Sequence, residues 1–289
     1  MDIKCGVAVV LIQIAVCIFC RTGFAFQDED NADDFKKWLN GGNQGKHMIK
    51  TVTTKDGNEI YYRHYKNGNH RVIVIAPGFT TSKDSMLIKE LGLSLSDEYD
   101  VMVMDFRGHG QSKGLFCWTS KEYLDLEAIL KKAREEYDKI GVIGFSLGGA
   151  TAIITASKSS AIDSLISVSA PSAFEKIDYR FWELDVETDI LFNLFGKGGT
   201  GKGVRPGPFW LKKEKPVDLV RKIKIPILFI HGEDDWLIKP WHCEVLYEKA
   251  IAPKGIYIIE GGPHAEYLIR QDKDSFVRQI KKWFTNTLN

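Results

Sequence analysis

The 289-residue chain lacks an excess of charge of either sign. It has 39 Lys and Arg against 38 Asp and Glu. Asp2, Lys4 and Arg21 lie among the first 25 residues, so the rest of the chain has 37 of each kind. A balanced chain offers no electrostatic footprint for nucleic acid or for an anionic surface. The composition therefore predicts no nucleic-acid partner.

Cysteine is also scarce. Cys5, Cys17 and Cys20 lie in the first 25 residues, which leaves Cys117 and Cys243 for the remaining chain. Two cysteines do not make a disulfide framework, and whether they form one bridge stays open because the sequence does not tell how close their backbones come. The sequence also has no metal-ligand spacing, and we predict no metal and no cofactor.

No apolar run is long enough to span a bilayer comfortably. The run of residues 7–19 follows Lys4 and precedes a small-x-small pattern that ends at Ala25, as in an export signal. We expect residues 1–25 to be a cleaved signal of a periplasmic or secreted protein. The alternative is an uncleaved anchor, which would then be the protein's only membrane contact. Residues 26–48 are polar and acidic with a Gly-Gly break, and are predicted to be a linker.

From about residue 49 to residue 289, short apolar segments alternate with amphipathic ones. Residues 58–65 alternate as an antiparallel strand does, whereas six other segments are β-branched and end at Gly, Pro or Asp. These six are predicted to be buried parallel strands, and they lie within residues 71–78, 100–108, 139–146, 164–172, 225–235 and 255–264. Residues 121–137 and 274–288 have helical spacing of apolar side chains. Together they predict one α/β domain with a mostly parallel central sheet and helices on both faces.

The segment GFSLG places Ser146 between Gly144 and Gly148. Lys139 to Phe145 are predicted to form a strand and Ser146 to Ser157 a helix, so Ser146 lies at the sharp turn between them. Glycine two positions away on each side relieves crowding there, and the turn lifts the serine hydroxyl clear of the surface. The pattern favours a nucleophile over a helix-capping serine.

A serine hydroxyl needs a base and a residue that orients the base. Asp234 and Asp235 follow one later predicted strand, and His264 follows the last one. The order Ser146, Asp, His is the chain order expected for a nucleophile on a strand-to-helix turn.

With these motifs, the chain from about residue 49 onward resembles the α/β-hydrolase superfamily, and more closely its esterase, monoacylglycerol-lipase and serine-aminopeptidase-like branches. The resemblance implies an α/β-hydrolase fold with a short lid insertion. The family's H-G-x-x-D pattern maps onto His231, Gly232 and Asp235, which favours Asp235 over Asp234 as the acid. The family's histidine maps onto His264.

The resemblance also implies an oxyanion hole made of two backbone amides. One follows the nucleophile and belongs to Leu147. The other comes from the loop after an early strand, residues 76–84, where this chain has Pro77-Gly78 in place of the His-Gly of many relatives. We assign the second amide to Phe79.

Other conspicuous residues have structural interpretations. His109, in the segment DFRGHGQS, is expected to stabilise a turn, and His242 and Cys243 are expected to pack beside the acid loop. The glycine-rich residues 196–203 match a phosphate-binding loop only in part, because Gly203 stands where Ser or Thr is needed and no buried strand precedes them. They are interpreted as a flexible turn.

This turn lies in an insertion at about residues 172–222, which is rich in aromatic side chains. The family has a lid over the nucleophile at this place, so the resemblance implies a lid here. Its aromatic side chains are expected to line an apolar acyl or leaving-group pocket, with ordinary lid packing as the alternative. They are Trp182, Phe192, Phe195 and Trp210.

The expected function is hydrolysis of a small to medium ester, including a lipid-like one, by Ser146, His264 and Asp235 through an acyl-enzyme. Peptidase or amidase activity and acyl transfer are the alternatives within this fold. A non-catalytic binding protein is the alternative of a different class.

Overall fold

The computed structural model describes residues 47–177 and 204–289. All of the described residues belong to one compact unit of the chain. The predicted signal and most of the predicted linker, together with Trp182, Phe192 and Phe195, lie outside the described residues.

Eight strands form one sheet. The strands are β1 (His47–Thr53), β2 (Glu59–Tyr65), β3 (Arg71–Ala76), β4 (Asp100–Met104), β5 (Lys139–Phe145), β6 (Ser164–Val168), β7 (Ile227–Gly232) and β8 (Lys254–Ile259). Their order across the sheet is β1-β2-β4-β3-β5-β6-β7-β8. At one end of the sheet, β2 pairs antiparallel with both β1 and β4. The six neighbouring strands β4, β3, β5, β6, β7 and β8 pair in parallel. The carboxyl ends of six parallel strands therefore share one edge of the sheet.

Seven α-helices pack against this sheet in the described part of the chain. They are α1 (Met86–Leu95), α2 (Glu122–Arg134), α3 (Leu147–Ala156), α4 (Pro216–Leu219), α5 (Trp241–Lys249), α6 (Tyr267–Gln271) and α7 (Lys273–Thr287). Short 3-10 turns span Phe174–Lys176 and Val220–Lys222.

The two faces of the sheet bury two separate apolar cores. Successive side chains of a strand point to opposite faces, so Val72 and Val74 of β3 pack with α2 and α3, whereas Ile73 and Ile75 pack with α1 and α7. Strands buried on both faces are continuously apolar, as the sequence of β3 to β7 is. The mostly parallel sheet with helices on both faces is confirmed.

The structure differs from the sequence-based prediction at one helix end. The amphipathic pattern predicts a helix over residues 121–137, but α2 ends at Arg134. The amides of Glu136 and Tyr137 both donate to the carbonyl of Ala133, which tightens the last turn. Tyr137 then leaves the helix pattern, because its hydroxyl donates to Asp100 across the sheet edge.

Two further findings concern segments that the sequence left open. Cys117 and Cys243 are free and buried, so no bridge joins them. Within residues 47–177 and 204–289, none of the helices has the length and apolar character needed to cross a membrane.

Candidate active site

Ser146 lies in the turn between β5 and α3, where its backbone adopts φ 49° and ψ −113°. This is a positive φ, which side-chain-bearing residues adopt at an energetic cost and which clusters at functional sites. The Ser146 amide donates to the carbonyl of Val168 on β6, and its carbonyl accepts from Ala150 in the first turn of α3. The residue is thus held from both sides in its strained conformation.

Glycine is required on both sides of Ser146. A Cβ built on Gly144 would lie 2.5 Å from the carbonyl oxygen of Gly148. A Cβ on Gly148 would overlap the carbonyl oxygens of Ala76 and Pro77 in the loop after β3. The glycines therefore let the start of α3 contact β5 and bring this loop against the turn that carries Ser146.

His264 connects Ser146 to a buried carboxylate. Its Nε2 lies 3.0 Å from Ser146 Oγ, and its Nδ1 lies 2.7 Å from Asp235 Oδ2. Since the carboxylate only accepts, Nδ1 carries the proton and Nε2 of the neutral ring accepts from the serine hydroxyl. The structure thus brings the three residues together in one hydrogen-bonded chain at the carboxyl edge of the sheet.

The electrostatics agree with this proton arrangement. Burial disfavours the charged imidazole, but the charge and hydrogen bond of Asp235 and the nearby Glu266 outweigh burial and raise the pKa of His264. Burial likewise disfavours the charged carboxylate, yet His264 and His231 outweigh it and hold the pKa of Asp235 well below its usual range. The site therefore favours an ionised aspartate beside a basic imidazole.

Asp235 and its neighbour Asp234 have different surroundings. The Asp235 side chain is fully buried, and its Oδ1 accepts from the amides of Leu237 and Ile238 at 3.0 and 2.8 Å. Asp234 is exposed, and its amide donates to the carbonyl of Gly262. Only Asp235 reaches His264.

The loop after β3 lies directly beside Ser146. A Cβ built on Gly78 would come within 3.5 Å of Ser146 Cβ, so the Gly78–Phe79 peptide borders the serine. Within the described ranges, the amides of Phe79 and Leu147 are not among those that donate to a backbone carbonyl in turns, loops and caps. Two backbone donors next to a serine hydroxyl are what an oxyanion hole requires.

Aromatic side chains extend from this loop. The Phe79 ring lies 5.1 Å from that of Phe116 and 5.6 Å from that of Trp118. Trp210 contacts Phe209 and is 74% exposed, so it is not enclosed in a pocket. Its expected contact with substrate stays a prediction.

The remaining histidines have local partners. His109 donates from Nδ1 to the carbonyl of Arg107 and packs edge-on against Phe79, and burial lowers its pKa to about 4. His242 Nδ1 accepts from the amide and hydroxyl of Ser172, which ties α5 to the start of the insertion. Both arrangements agree with the structural roles expected from the sequence.

Two residues near His264 escaped the sequence analysis. Ser169, at the end of β6, accepts from the amide of Ala265 at 3.1 Å, and both residues have φ 48°. Glu266 is buried, with a carboxylate oxygen 3.5 Å from the position of a Cβ built on Gly78. Neither residue belongs to a motif, because the contacts join segments far apart in the chain.

The described residues contain no group of three or more His, Cys, Asp or Glu that could hold a metal ion. The described site offers the hydroxyl of Ser146, the imidazole of His264 and the carboxylate of Asp235, together with neighbouring backbone amides. Such a set can transfer an acyl group by nucleophilic attack and general-base assistance.

Comparison with protein families agrees with this fold. Residues 71–190 match the family model described as alpha/beta hydrolase fold, and the chain belongs to the α/β-hydrolase superfamily.

Two relatives have about the same sequence identity to this chain. The chain is 31% identical over 208 residues to the uncharacterized protein YqkD of Bacillus subtilis, a match that covers 67% of this chain and 64% of that protein. It is 30% identical over 168 residues to the alpha/beta hydrolase domain-containing protein WAV2 of Arabidopsis thaliana, covering 53% and 49%. The chain thus spans less than two thirds of the length of either relative.

Among solved structures, the Pyrococcus furiosus esterase Pf2001 matches with a TM-score of 0.70 at 22% identity. The match covers 84% of this chain and 94% of the esterase. At this identity the similarity establishes the fold alone.

Proposed function

We propose that the protein is a serine hydrolase that cleaves a small to medium carboxylic ester through an acyl-enzyme. The observation that carries this proposal is the hydrogen-bonded chain Ser146–His264–Asp235, with 3.0 and 2.7 Å between its members. The similarity to esterases in fold and to a human serine hydrolase, BPHL, at 23% identity over 248 residues, supports the same reaction class.

In the first half-reaction, Ser146 Oγ attacks the ester carbonyl carbon while its proton passes to His264 Nε2. The carbonyl π electrons move onto the oxygen. When the tetrahedral intermediate collapses, the bond to the alcohol oxygen breaks and His264 returns the proton to the leaving alcohol. Asp235 holds the imidazole and stabilises its transient positive charge.

In the second half-reaction, water attacks the acyl-enzyme and gives its proton to His264. Collapse of this intermediate releases the carboxylic acid and returns the proton to Ser146. The amides of Phe79 and Leu147 are proposed to donate to the oxyanion in both steps. Each such donor lowers a barrier by about 3 kcal/mol in comparable enzymes.

The half-buried aromatic side chains of Phe79 and Trp118 favour an apolar substrate. They pack against the fully buried Phe116, and the backbone at Gly78–Phe79 borders Ser146. Burial of one large apolar group against such a wall contributes about 1.5 to 3 kcal/mol. We therefore propose that one side of the ester is an apolar chain, as in a lipid-like substrate.

The test is turnover of p-nitrophenyl esters from acetate to octanoate, alongside aminoacyl anilides. We expect ester hydrolysis that Ser146→Ala abolishes and that Ser157→Ala, at the far end of α3, leaves unchanged. Faster anilide cleavage would favour a peptidase or amidase, and acyl products formed with added alcohols would favour a transferase. A folded protein that turns over none of these and resists serine-directed probes would be a binding protein.

A further inference from the structure

Besides His264, a second histidine lies close to Asp235. It is the first residue of the H-G-x-x-D motif, and the sequence leaves its role open. His231 is the penultimate residue of β7 and its side chain is fully buried. Its Nε2 lies 2.5 Å from the carbonyl oxygen of Ile238 and 3.2 Å from Asp235 Oδ2. It therefore contacts the same carboxylate oxygen that receives His264.

The proton position on His231 follows from its partners. A carbonyl oxygen only accepts, so Nε2 carries the proton and can share it between the Ile238 carbonyl and Asp235 Oδ2. Nδ1 is buried and has no hydrogen-bond partner among the described residues.

These contacts close a hydrogen-bonded ring. Asp235 Oδ1 accepts from the Ile238 amide, the Ile238 carbonyl accepts from His231, and the same His231 N–H faces Asp235 Oδ2. A ring of this kind opposes rotation of the carboxylate. Without His231, Oδ2 would keep a single donor and the carboxylate could turn away from His264.

Gly232 explains why the histidine loop lies over this ring. A Cβ on Gly232 would overlap the carbonyl oxygens of Gly262 and Pro263. The backbone that leads to His264 therefore crosses β7 directly after His231. The motif thus supplies Asp235 as the acid and His231 as a hydrogen-bond donor to it. Gly232 leaves the space in which the loop that carries His264 crosses β7.

We propose that His231 is a positioning residue that aims Asp235 Oδ2 at His264 and, by donating to it, limits the basicity of the carboxylate. This inference rests on the proposed function. The titratable groups around the pair come from three elements: His231 and Asp235 from β7 and its loop, His242 from α5, and His264 and Glu266 from the loop after β8.

The test compares His231→Leu, which has no donor, with His231→Gln, which keeps an amide N–H. His231→Leu should lower kcat/KM about 10- to 100-fold, mainly through kcat, as loss of an orienting partner does in other sites. It should also move the acidic limb of the pH profile of kcat/KM to higher pH by about half to one unit. Without a donor at residue 231, the Asp235 carboxylate stabilises the protonated form of His264 more strongly. His231→Gln should retain most of the wild-type kcat/KM and most of the wild-type position of the acidic limb.

His64→Leu is the matched control, since it removes another fully buried imidazole, at the opposite edge of the sheet. We expect it to lower Tm without moving the acidic limb. The inference is overturned if His231→Leu and His64→Leu give the same pH profile and kcat/KM, or if the Leu and Gln variants of His231 do not differ. Loss of the proposed function itself would be seen separately, as wild-type protein without Ser146-dependent turnover.

If His231→Leu does not fold, ¹⁵N NMR of histidine-labelled wild-type protein decides. We expect Nε2 of His231 to carry the proton that faces the Ile238 carbonyl and Asp235 Oδ2. A His231 tautomer with its proton on Nδ1 and none on Nε2 would overturn the inference.

Discussion

The two edges of the sheet contain similar polar groups in different orders. At the carboxyl edge the chain is carboxylate, imidazole, hydroxyl: Asp235, His264 and Ser146. At the amino edge it is carboxylate, phenol, imidazole, because Tyr137 OH donates to Asp100 at 2.7 Å and lies 2.7 Å from His64 Nε2. Both chains are buried and join distant segments.

The order decides the direction in which the pKa of the imidazole is shifted. His264 touches its carboxylate directly, and its pKa is raised. The phenol of Tyr137 separates His64 from Asp100, so burial prevails and lowers the pKa of His64 to about 4. A histidine in direct contact with a carboxylate is a good base, whereas one insulated from it is a neutral structural group.

The backbone differs as well. The described non-glycine residues with positive φ all lie in loops that follow parallel strands at the carboxyl edge. They are Thr80, Trp118, Thr119, Ser146, Ser169 and Ala265. Strain concentrated at one edge is typical of a functional site. Ser146 keeps 9% of its surface exposed, whereas His64 is fully buried.

The largest expected difference between the two edges is in turnover. Ser146→Ala should lower kcat/KM for a p-nitrophenyl ester by roughly 10⁴-fold or more, since the nucleophile and base act as a unit. Tyr137→Phe should change it by less than about twofold when measured well below Tm. A large loss in both variants would mean that the amino edge also contributes to catalysis.

The two adjacent aspartates give the next largest difference. Asp235→Asn should lower kcat about 10³- to 10⁴-fold, because an amide favours the wrong imidazole tautomer. Asp234→Asn, at an exposed side chain, should cost less than about threefold. Steady-state kinetics of the two variants decide, and the reverse ranking would make Asp234 the acid.

The raised pKa of His264 predicts the pH dependence of activity. The base must be neutral, so kcat/KM should fall as pH decreases through that pKa, with a midpoint above the ordinary value of 6.5. Glu266→Gln should lower this midpoint, because the Glu266 charge helps to raise it. A midpoint below 6 in the wild type would contradict the direct pairing with Asp235.

The smallest expected effect is on stability. Tyr137→Phe removes a donor from Asp100 and a partner from His64, which should lower the free energy of unfolding by about 1 to 3 kcal/mol. Urea denaturation of wild type and variant measures it. An unchanged midpoint would mean that the amino-edge chain stabilises nothing.

The sequence predicted most of what is local. The strand Lys139–Phe145 was predicted with its exact bounds, because a buried parallel strand is a continuous apolar run that ends at a turn. The turn at Ser146 was predictable for the same reason, since the glycines around it are close in the chain. By contrast, the helical pattern continues to Tyr137, whereas α2 ends at Arg134 and the Tyr137 hydroxyl donates to Asp100, a partner that is distant in the chain.

Contacts between distant segments were harder to predict. The motif located His231, but its contacts with Ile238 and Asp235 depend on the fold of a loop. Ser169 and Glu266 carry no local signal, because their partners lie on other strands and loops. Assignment of Phe79 depended on the family resemblance, and three of the four lid aromatics lie outside the described residues.

Covalent labelling tests the central claim most directly. A fluorophosphonate reacts with a serine activated by a neighbouring base, and peptide mass spectrometry locates the adduct. We predict one adduct per chain, on Ser146, with labelling lost in Ser146→Ala, slowed strongly in Asp235→Asn and retained in Tyr137→Phe. Folded wild-type protein that stays unlabelled, or that is labelled at another serine, would contradict the account.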